Sequence, residues 1–261
     1  IKFDTKLVPI DSEHFSISEL TKQHSNDEIE KIYITASGGP FLKLKKNKFK
    51  YIKPKDAIKH PKWKMGKKIS VDSATLMNKV LELNEAFKLF NFDKKKYEVL
   101  IHPQSLIHAI VKFKNGITHL LYHVPDMKIP IANALFDSKF NYSTYFKNSN
   151  IKKFLDHNLE FFPADHKKFT TLKLIPEMDR YESSSIIINA TNEIFVDEFL
   201  KNNIQFDDIF TYLNLVLKDK RYIKTSNMPS NSIKNIYKID NWSRALAYNI
   251  IRKQKNKKTN V

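Results

Sequence analysis

The sequence contains no cysteine, which excludes disulfides, thiolate nucleophiles, zinc fingers and iron–sulfur clusters and leaves the redox compartment open. No run approaches the ~20 uninterrupted apolar residues of a membrane-spanning helix. The opening stretch, IKFDTKLVPIDSEH, has no signal-peptide core. Acidic charge is in deficit, with 28 Asp and Glu against 45 Lys and Arg and a formal net charge of +17. Such an excess raises nucleic acid as a partner. Glycine is scarce at 4 residues, however, and lysine and asparagine are plentiful, so the charge also reads as composition spread over a solvated surface. Two basic clusters stand out, Lys43 to Lys55 and Arg252 to Lys258. Neither carries a nucleic-acid motif, and the second reads as a frayed, solvated end.

What is present is ordinary for a folded chain: 41% hydrophobic and 28% charged residues over 261 positions, a length that favours roughly two units. KLVPI near the start reads as a short strand ending in the polar group Asp11, Ser12 and Glu13. KIYITA (31–36) reads as a second strand running into Ser37, Gly38, Gly39 and Pro40, where paired glycines let backbone approach a ligand. HPKWKMGKK (60–68) has no helical or strand period and sets aromatic and thioether groups among charges, the composition of a lid. A helix is predicted from about Ala74 to Leu89, capped by Asp72 or Ser73, with Leu76, Val80, Leu83, Phe87 and Phe90 on one stripe. EVLIHPQ and Leu106 to Phe113 are strand-like, and Asn115-Gly116 predicts a hairpin into ITHLLYHV. Three helical segments then close the chain, within 184–202, 206–219 and 241–253. The fold class is therefore an α/β (α+β) domain over 1–137, a connecting segment over 138–171, and a small all-α domain over 172–261.

Two sets of side chains could carry chemistry. Asp11 and Glu13, two apart in an extended segment, project to one side and could share a hard divalent cation, although such pairs are common on solvated strand ends. Ser73, Asn78, Lys79 and Glu82 gather a hydroxyl, an amide, a cation and a carboxylate about one helix start. The orphan amides and dipole there suit a phosphate, while a plain polar helix face is the alternative. His102, His108, His119 and His123 lie in strand-like segments, where structural imidazoles are commoner than catalytic ones.

The runs LVPIDSEH (7–14), SGGPF (37–41), HPKWKMGKKISVDSATLMNK (60–79), HPQSLIHAIV (102–111), PDMKIPIA (125–132) and NATNEI (189–194) stand in an order that closely resembles the 1-deoxy-D-xylulose-5-phosphate reductoisomerase family. The resemblance spans nearly the whole chain and is strongest over 7–132. It implies a metal-dependent skeletal rearrangement followed by NADPH-dependent reduction to 2-C-methyl-D-erythritol 4-phosphate, a step of non-mevalonate isoprenoid biosynthesis. It implies Asp11, Glu13 and Glu82 as ligands of Mg²⁺ or Mn²⁺, with Glu13, Glu82 and His60 as catalytic residues. Ser12, Glu13, Ser37, His60, Ser73, Asn78, Lys79 and Glu82 would contact the phosphosugar, Trp63 and Met65 would form the lid, and Gly66 would lie near the nicotinamide. Met127 matches a loop bordering the family's site, and a methionine filling an apolar gap is an adequate alternative.

A homodimer in a bacterial cytoplasm or a plastid-type organelle, with no nucleic-acid or membrane partner, goes with the resemblance. A basic nucleic-acid-binding module is the competing expectation. The family's glycine-rich dinucleotide fingerprint is not among these residues, since glycine occurs only at 38, 39, 66 and 116. The expectation is therefore a catalytic-plus-C-terminal portion that by itself does not turn over. Val80 stands where the family usually has glycine, and Phe136-Asp137 where it usually has Trp-Pro.

Overall fold

A computed structural model describes residues 5–63, 65–137, 139–145 and 158–259. The chain groups into two compact units, one of Ile1–Gly38 with Glu85–Ala164 and one of Gly39–Asn84 with Asp165–Val261. Below, helices of eight or more residues are numbered and shorter turns are named by range.

The first unit is built on a mixed sheet of order β4-β3-β1-β2-β5, with β1 Ile29–Ala36, β2 Tyr97–Ile101, β3 Ile107–Phe113, β4 Thr118–Tyr122 and β5 Phe162–Pro163. Only β1 and β2 pair in parallel, with Ile34 opposite Val99; the other neighbours are antiparallel. The β-branched run of β1 places Ile32 and Ile34 in the core with Ile101, Ile107 and Val111 from the strands beside it. The hairpin forms where Asn115-Gly116 predicts it: Gly116 takes φ +89° and the Asn115 side chain accepts from the Ile117 amide at 3.0 Å. Helix α1 (Ser12–Thr21) packs on β3 and β4.

The N-terminal strand is not formed. Residues 5–10 have no regular structure, and Asp11 is instead the N-cap of α1, its carboxylate accepting from the Glu13 amide at 3.2 Å. The reason is local: Asp, Ser and Glu in succession satisfy orphan amides and complement the helix dipole better than they extend a strand. Asp11 and Glu13 are therefore not side by side on a strand: Glu13 stands in the first turn of a helix that Asp11 caps.

In the second unit the predicted single helix from Ala74 is two, α2 (Lys67–Thr75) and α3 (Met77–Leu89), broken at Leu76 with φ +62°. Asp72 and Ser73 therefore lie in the last turn of α2, not at a cap. The Thr75 hydroxyl accepts from the Met77 amide at 3.2 Å and so satisfies an orphan donor at the start of α3. A left-handed leucine is strained by about 1–3 kcal/mol, and full burial of Leu76 holds it there. Helices α5 (Ser184–Leu200), α6 (Phe206–Leu217) and α7 (Ile233–Thr259) pack on one another, and α2 packs on α5. Phe41, Phe49 and Phe199 pack around Phe206 with ring centroids 5.4–5.7 Å away. Phe49 thus anchors the lysine-rich segment from within. The cluster at 252–258 is the continuation of α7 and not a frayed end.

Of the connecting segment, 138 and 146–157 lie outside the described residues. Phe162 and Pro163 add the edge strand β5 to β2, and His102 Nδ1 donates to the Glu160 carbonyl at 2.9 Å. Among the described residues no helix is long and apolar enough to cross a membrane.

Gly39 joins the loop after β1 to the second unit with φ +64°, and a Cβ there would stand 2.9 Å from both Ala74 Cα and the Ser73 carbonyl oxygen. Both obstacles are backbone and cannot swing aside. Gly39→Ala is expected to cost about 2 kcal/mol or more of unfolding free energy in a urea titration, whereas Gly66→Ala, where a Cβ meets nothing within 4 Å, is expected to be near neutral.

Candidate metal and substrate site

The first unit contributes the start of α1 and the end of β1. Ser12 and Glu13 are buried while Asp11 is half-exposed. The Ser12 hydroxyl donates to Glu13 Oε2 at 2.5 Å, so the carboxylate is aimed by its own neighbour. His14 is fully buried, with Nδ1 at 3.4 Å from Asp11 Oδ1 and 3.8 Å from Glu85 Oε1. Ser37 follows β1 and is half-buried, preceding Gly38 and Gly39, both at positive φ.

The strand histidines divide. His108 and His123 are buried and stacked, with centroids 4.1 Å apart. His123 donates from Nδ1 to the Val124 carbonyl at 2.7 Å, and burial holds its pKa below the ordinary imidazole value. His119 lies against His24 and Phe113 on an exposed part of β4, and His102 stacks on Phe161 at 4.5 Å. Met127 precedes α4 (Lys128–Phe136) as its N-cap.

The second unit contributes α2, α3 and the loop before them. Lys79 and Glu82 are both buried, with Nζ 2.5 Å from Oε2, and the Asn78 amide donates to the other oxygen, Oε1. One carboxylate is thus held by an ammonium at i−3 and an amide at i−4 on its own helix. A buried carboxylate costs several kcal/mol unless compensated, and Lys79 and Asn78 supply the compensation. What the sequence presents as a polar helix face is an enclosed ion pair.

His60 lies in the loop ahead of α2, and its Nδ1 accepts from the backbone amides of Trp63 at 2.8 Å and Lys62 at 3.2 Å. Burial and then the Lys79 charge lower its pKa to about 4. With Nδ1 an acceptor and the ring neutral, the proton resides on Nε2, which is a hydrogen-bond donor. Trp63 and Met65 are half-buried, which corrects the picture of a freely exposed aromatic in this loop. Gly66 is the exposed N-cap of α2.

Sequence reasoning gave no role to Asp72 beyond a cap, or to Asn192. Asp72 is buried, paired with Lys68 at 2.6 Å, and accepts from the Asn192 amide at 2.9 Å. The signal was present in NATNEI, where Asn192 falls between the apolar residues Ile188 and Phe195 of one helix face and requires a partner when buried. His14 and Glu85 were likewise passed over, because neither stands out by spacing.

Comparison with known proteins follows the same residues. Residues 7–90 match the model of the 1-deoxy-D-xylulose 5-phosphate reductoisomerase C-terminal domain, and 123–246 match that of the DXP reductoisomerase C-terminal domain. The chain is 43% identical over 243 residues to the 1-deoxy-D-xylulose 5-phosphate reductoisomerase of Pelagibacter ubique, covering 92% of this chain and 62% of that protein. To that of Treponema denticola it is 42% identical over 247 residues, covering 94% and 63%. A crystal structure of DOX-P reductoisomerase in complex with NADPH, fosmidomycin and magnesium superposes with TM-score 0.85 at 32% identity, covering 97% of this chain and 65% of that one. The chain thus spans a little over three-fifths of the length of the curated relatives it matches. With matches to both models and to these relatives along almost its entire length, the chain belongs to the 1-deoxy-D-xylulose 5-phosphate reductoisomerase family.

Proposed function

We propose that this chain supplies the metal- and substrate-binding machinery of a reductoisomerase that converts 1-deoxy-D-xylulose 5-phosphate to 2-C-methyl-D-erythritol 4-phosphate with NADPH, in non-mevalonate isoprenoid biosynthesis. The carrying observation is the buried Glu82, held by Lys79 and Asn78 on α3, taken with the buried Glu13 at the start of α1. Helix α3 is continuous from Met77 to Leu89, and Glu85 Oε1 lies 3.8 Å from His14 Nδ1. Glu82 lies one turn before Glu85 on that helix.

These three side chains would hold Mg²⁺ or Mn²⁺. Their donor chemistry fits, because all three offer the oxygen ligands that hard cations take. They also place more negative charge together than Lys79 alone balances. The ion would supply Lewis-acid polarisation of the substrate's carbonyl and hydroxyl oxygens.

The chain's own residues do the positioning. Ser73, Asn78, Lys79 and Ser37 would bind phosphate and hydroxyl oxygens by hydrogen bonds, charge-assisted at Lys79. His60 would bind through its Nε2 proton as a neutral donor, because its Nδ1 is occupied by the Trp63 amide. The Ser12 hydroxyl, now on Glu13, lies where it could turn to a substrate oxygen. Trp63 and Met65 would exclude water as the lid closes, and Gly66 would leave room for the nicotinamide. Retro-aldol and aldol steps then rearrange the carbon skeleton before hydride transfer. All of these side chains fall within 1–137, the proposed catalytic portion, and within the second unit α5 packs on α2, which carries Ser73. A homodimer, working in a bacterial cytoplasm or plastid-type organelle, accompanies this reading. No feature of the site favours the nucleic-acid alternative.

Glu82→Gln keeps the shape and removes the charge. It is expected to weaken Mn²⁺ binding, followed by paramagnetic relaxation or calorimetry, beyond the roughly 10–100-fold that outer-shell changes cost; unchanged affinity removes Glu82 from the site. The 261 residues alone are expected to bind metal and phosphate yet oxidise no NADPH, and steady turnover in a spectrophotometric assay contradicts this.

The His60 pKa gives a third expectation. Because it is lowered to about 4, the ring resonances should stay flat in an NMR titration from pH 8 to about 5.5, where an ordinary histidine of pKa ~6.5 would titrate. The stability it confers is complete above the unfolded value and is lost as pH falls from about 6.5 through 4, since the unfolded chain protonates first. His60→Asn should therefore lose less stability than the parent over that window.

A further inference from the structure

The last turn of α2 is held by three contacts, all from within its own unit. Gly39 packs against the Ser73 carbonyl and Ala74 Cα, the Thr171 hydroxyl donates to the Thr75 carbonyl, and the Asn192 amide of α5 donates to buried Asp72 at 2.9 Å. Asp72 immediately precedes Ser73. Asn192 is itself fully buried, and its Oδ1 has no hydrogen-bond partner among the described residues. The hydrogen bond that its side chain makes in this position is the one from Nδ2 to Asp72. The next residue, Glu193, accepts from Arg244 of α7 at 2.6 Å, and Arg244 also donates to Asp240 at 2.7 Å. A chain of polar contacts thus runs from α7 through α5 to the turn that carries Ser73.

Resting on the phosphate-binding reading given above, we propose that Asn192 is a positioning residue for that phosphate corner: by holding Asp72 it fixes the last turn of α2 and so the Ser73 hydroxyl. The C-terminal helices then act on the reaction without touching substrate. Lys68 neutralises the other Asp72 oxygen at 2.6 Å, so Asp72 is constrained from both sides and cannot rotate without dragging the helix end. A dihydrogen-bonded, buried carboxylate of this kind transmits displacement because both of its partners are on defined elements, α2 itself and α5.

The test uses inorganic phosphate as the probe, at fixed pH 8 in saturating Mg²⁺, with five proteins: the parent, Ser73→Ala, Asn192→Asp, the combined Ser73→Ala/Asn192→Asp and the exchange Asp72→Asn/Asn192→Asp. Asn192→Asp sets two carboxylates face to face and removes the donor; the exchange restores a donor–acceptor pair with its direction reversed. Expected are roughly tenfold weaker phosphate binding for Ser73→Ala and Asn192→Asp, no further loss on combining the two, and recovery to within about threefold in the exchange. Mg²⁺ affinity, measured separately, should change by less than about twofold throughout. If Ser73→Ala binds phosphate as the parent does, the phosphate reading itself fails. If Ser73→Ala weakens binding but Asn192→Asp does not, or the two losses simply add, the positioning role is overturned while the reading stands. Failure of both Asn192→Asp and the exchange to fold also overturns it, because a purely structural role then accounts for the contact.

Discussion

A carboxylate placed out of water must find positive charge, and most of this chain's functional geometry is arranged around that demand at Glu82. Lys79 and Asn78 meet it from one and a little over one turn away on the same helix, which fixes the side chain's rotamer as well as its charge. For those three to stand together α3 has to start where it does. That start is set by the left-handed Leu76 and by the Thr75 hydroxyl that replaces the lost helical bond. A strained backbone residue in a buried position, followed by a buried ion pair, is costly in isolation. It persists because the corner is packed by Leu76 and Met77, both buried, and by Gly39 lying against the preceding turn.

Much of the fold was legible. Alternation marked the central strands, Asn115-Gly116 marked the hairpin, and the spacing of apolar residues marked α5, α6 and α7. What was not legible came from competition between local signals. Asp11-Ser12-Glu13 after KLVPI satisfies a strand-end reading and a helix-start reading alike; the amide of Glu13 decided it by bonding back to Asp11. The single helix over 74–89 failed because hydrophobic spacing is nearly continuous through Leu76, and a leucine gives no warning of positive φ where a glycine would.

The candidate side chains were readable by type but not by state. Spacing put Asn78, Lys79 and Glu82 on one helix face, yet could not tell a solvated face from an enclosed one, since burial is decided by what packs against it. His60 shows the same gap. Its position in a run was visible, whereas its neutral form depends on burial and the Lys79 charge, and its tautomer on backbone amides of Lys62 and Trp63 turning back on it. The net charge misled in the opposite sense: the lysines of 43–55 look like a binding surface until Phe49 is seen anchoring the segment from inside, with Lys46 paired to Asp207 at 3.4 Å.

The one parallel pairing in the sheet, β1 with β2, has a kinetic implication. Between these strands the chain makes an excursion of roughly 60 residues that contains the glycine loop, the lid, α2 and α3, and its closure carries an entropic cost that grows with the logarithm of its length. The β3–β4 ribbon, joined by four residues, faces no such delay. Pairings of high sequence separation form slowly, so β1–β2 pairing lags the β3–β4 ribbon, and Ser37, His60, Ser73, Asn78, Lys79 and Glu82 all lie inside the loop it closes.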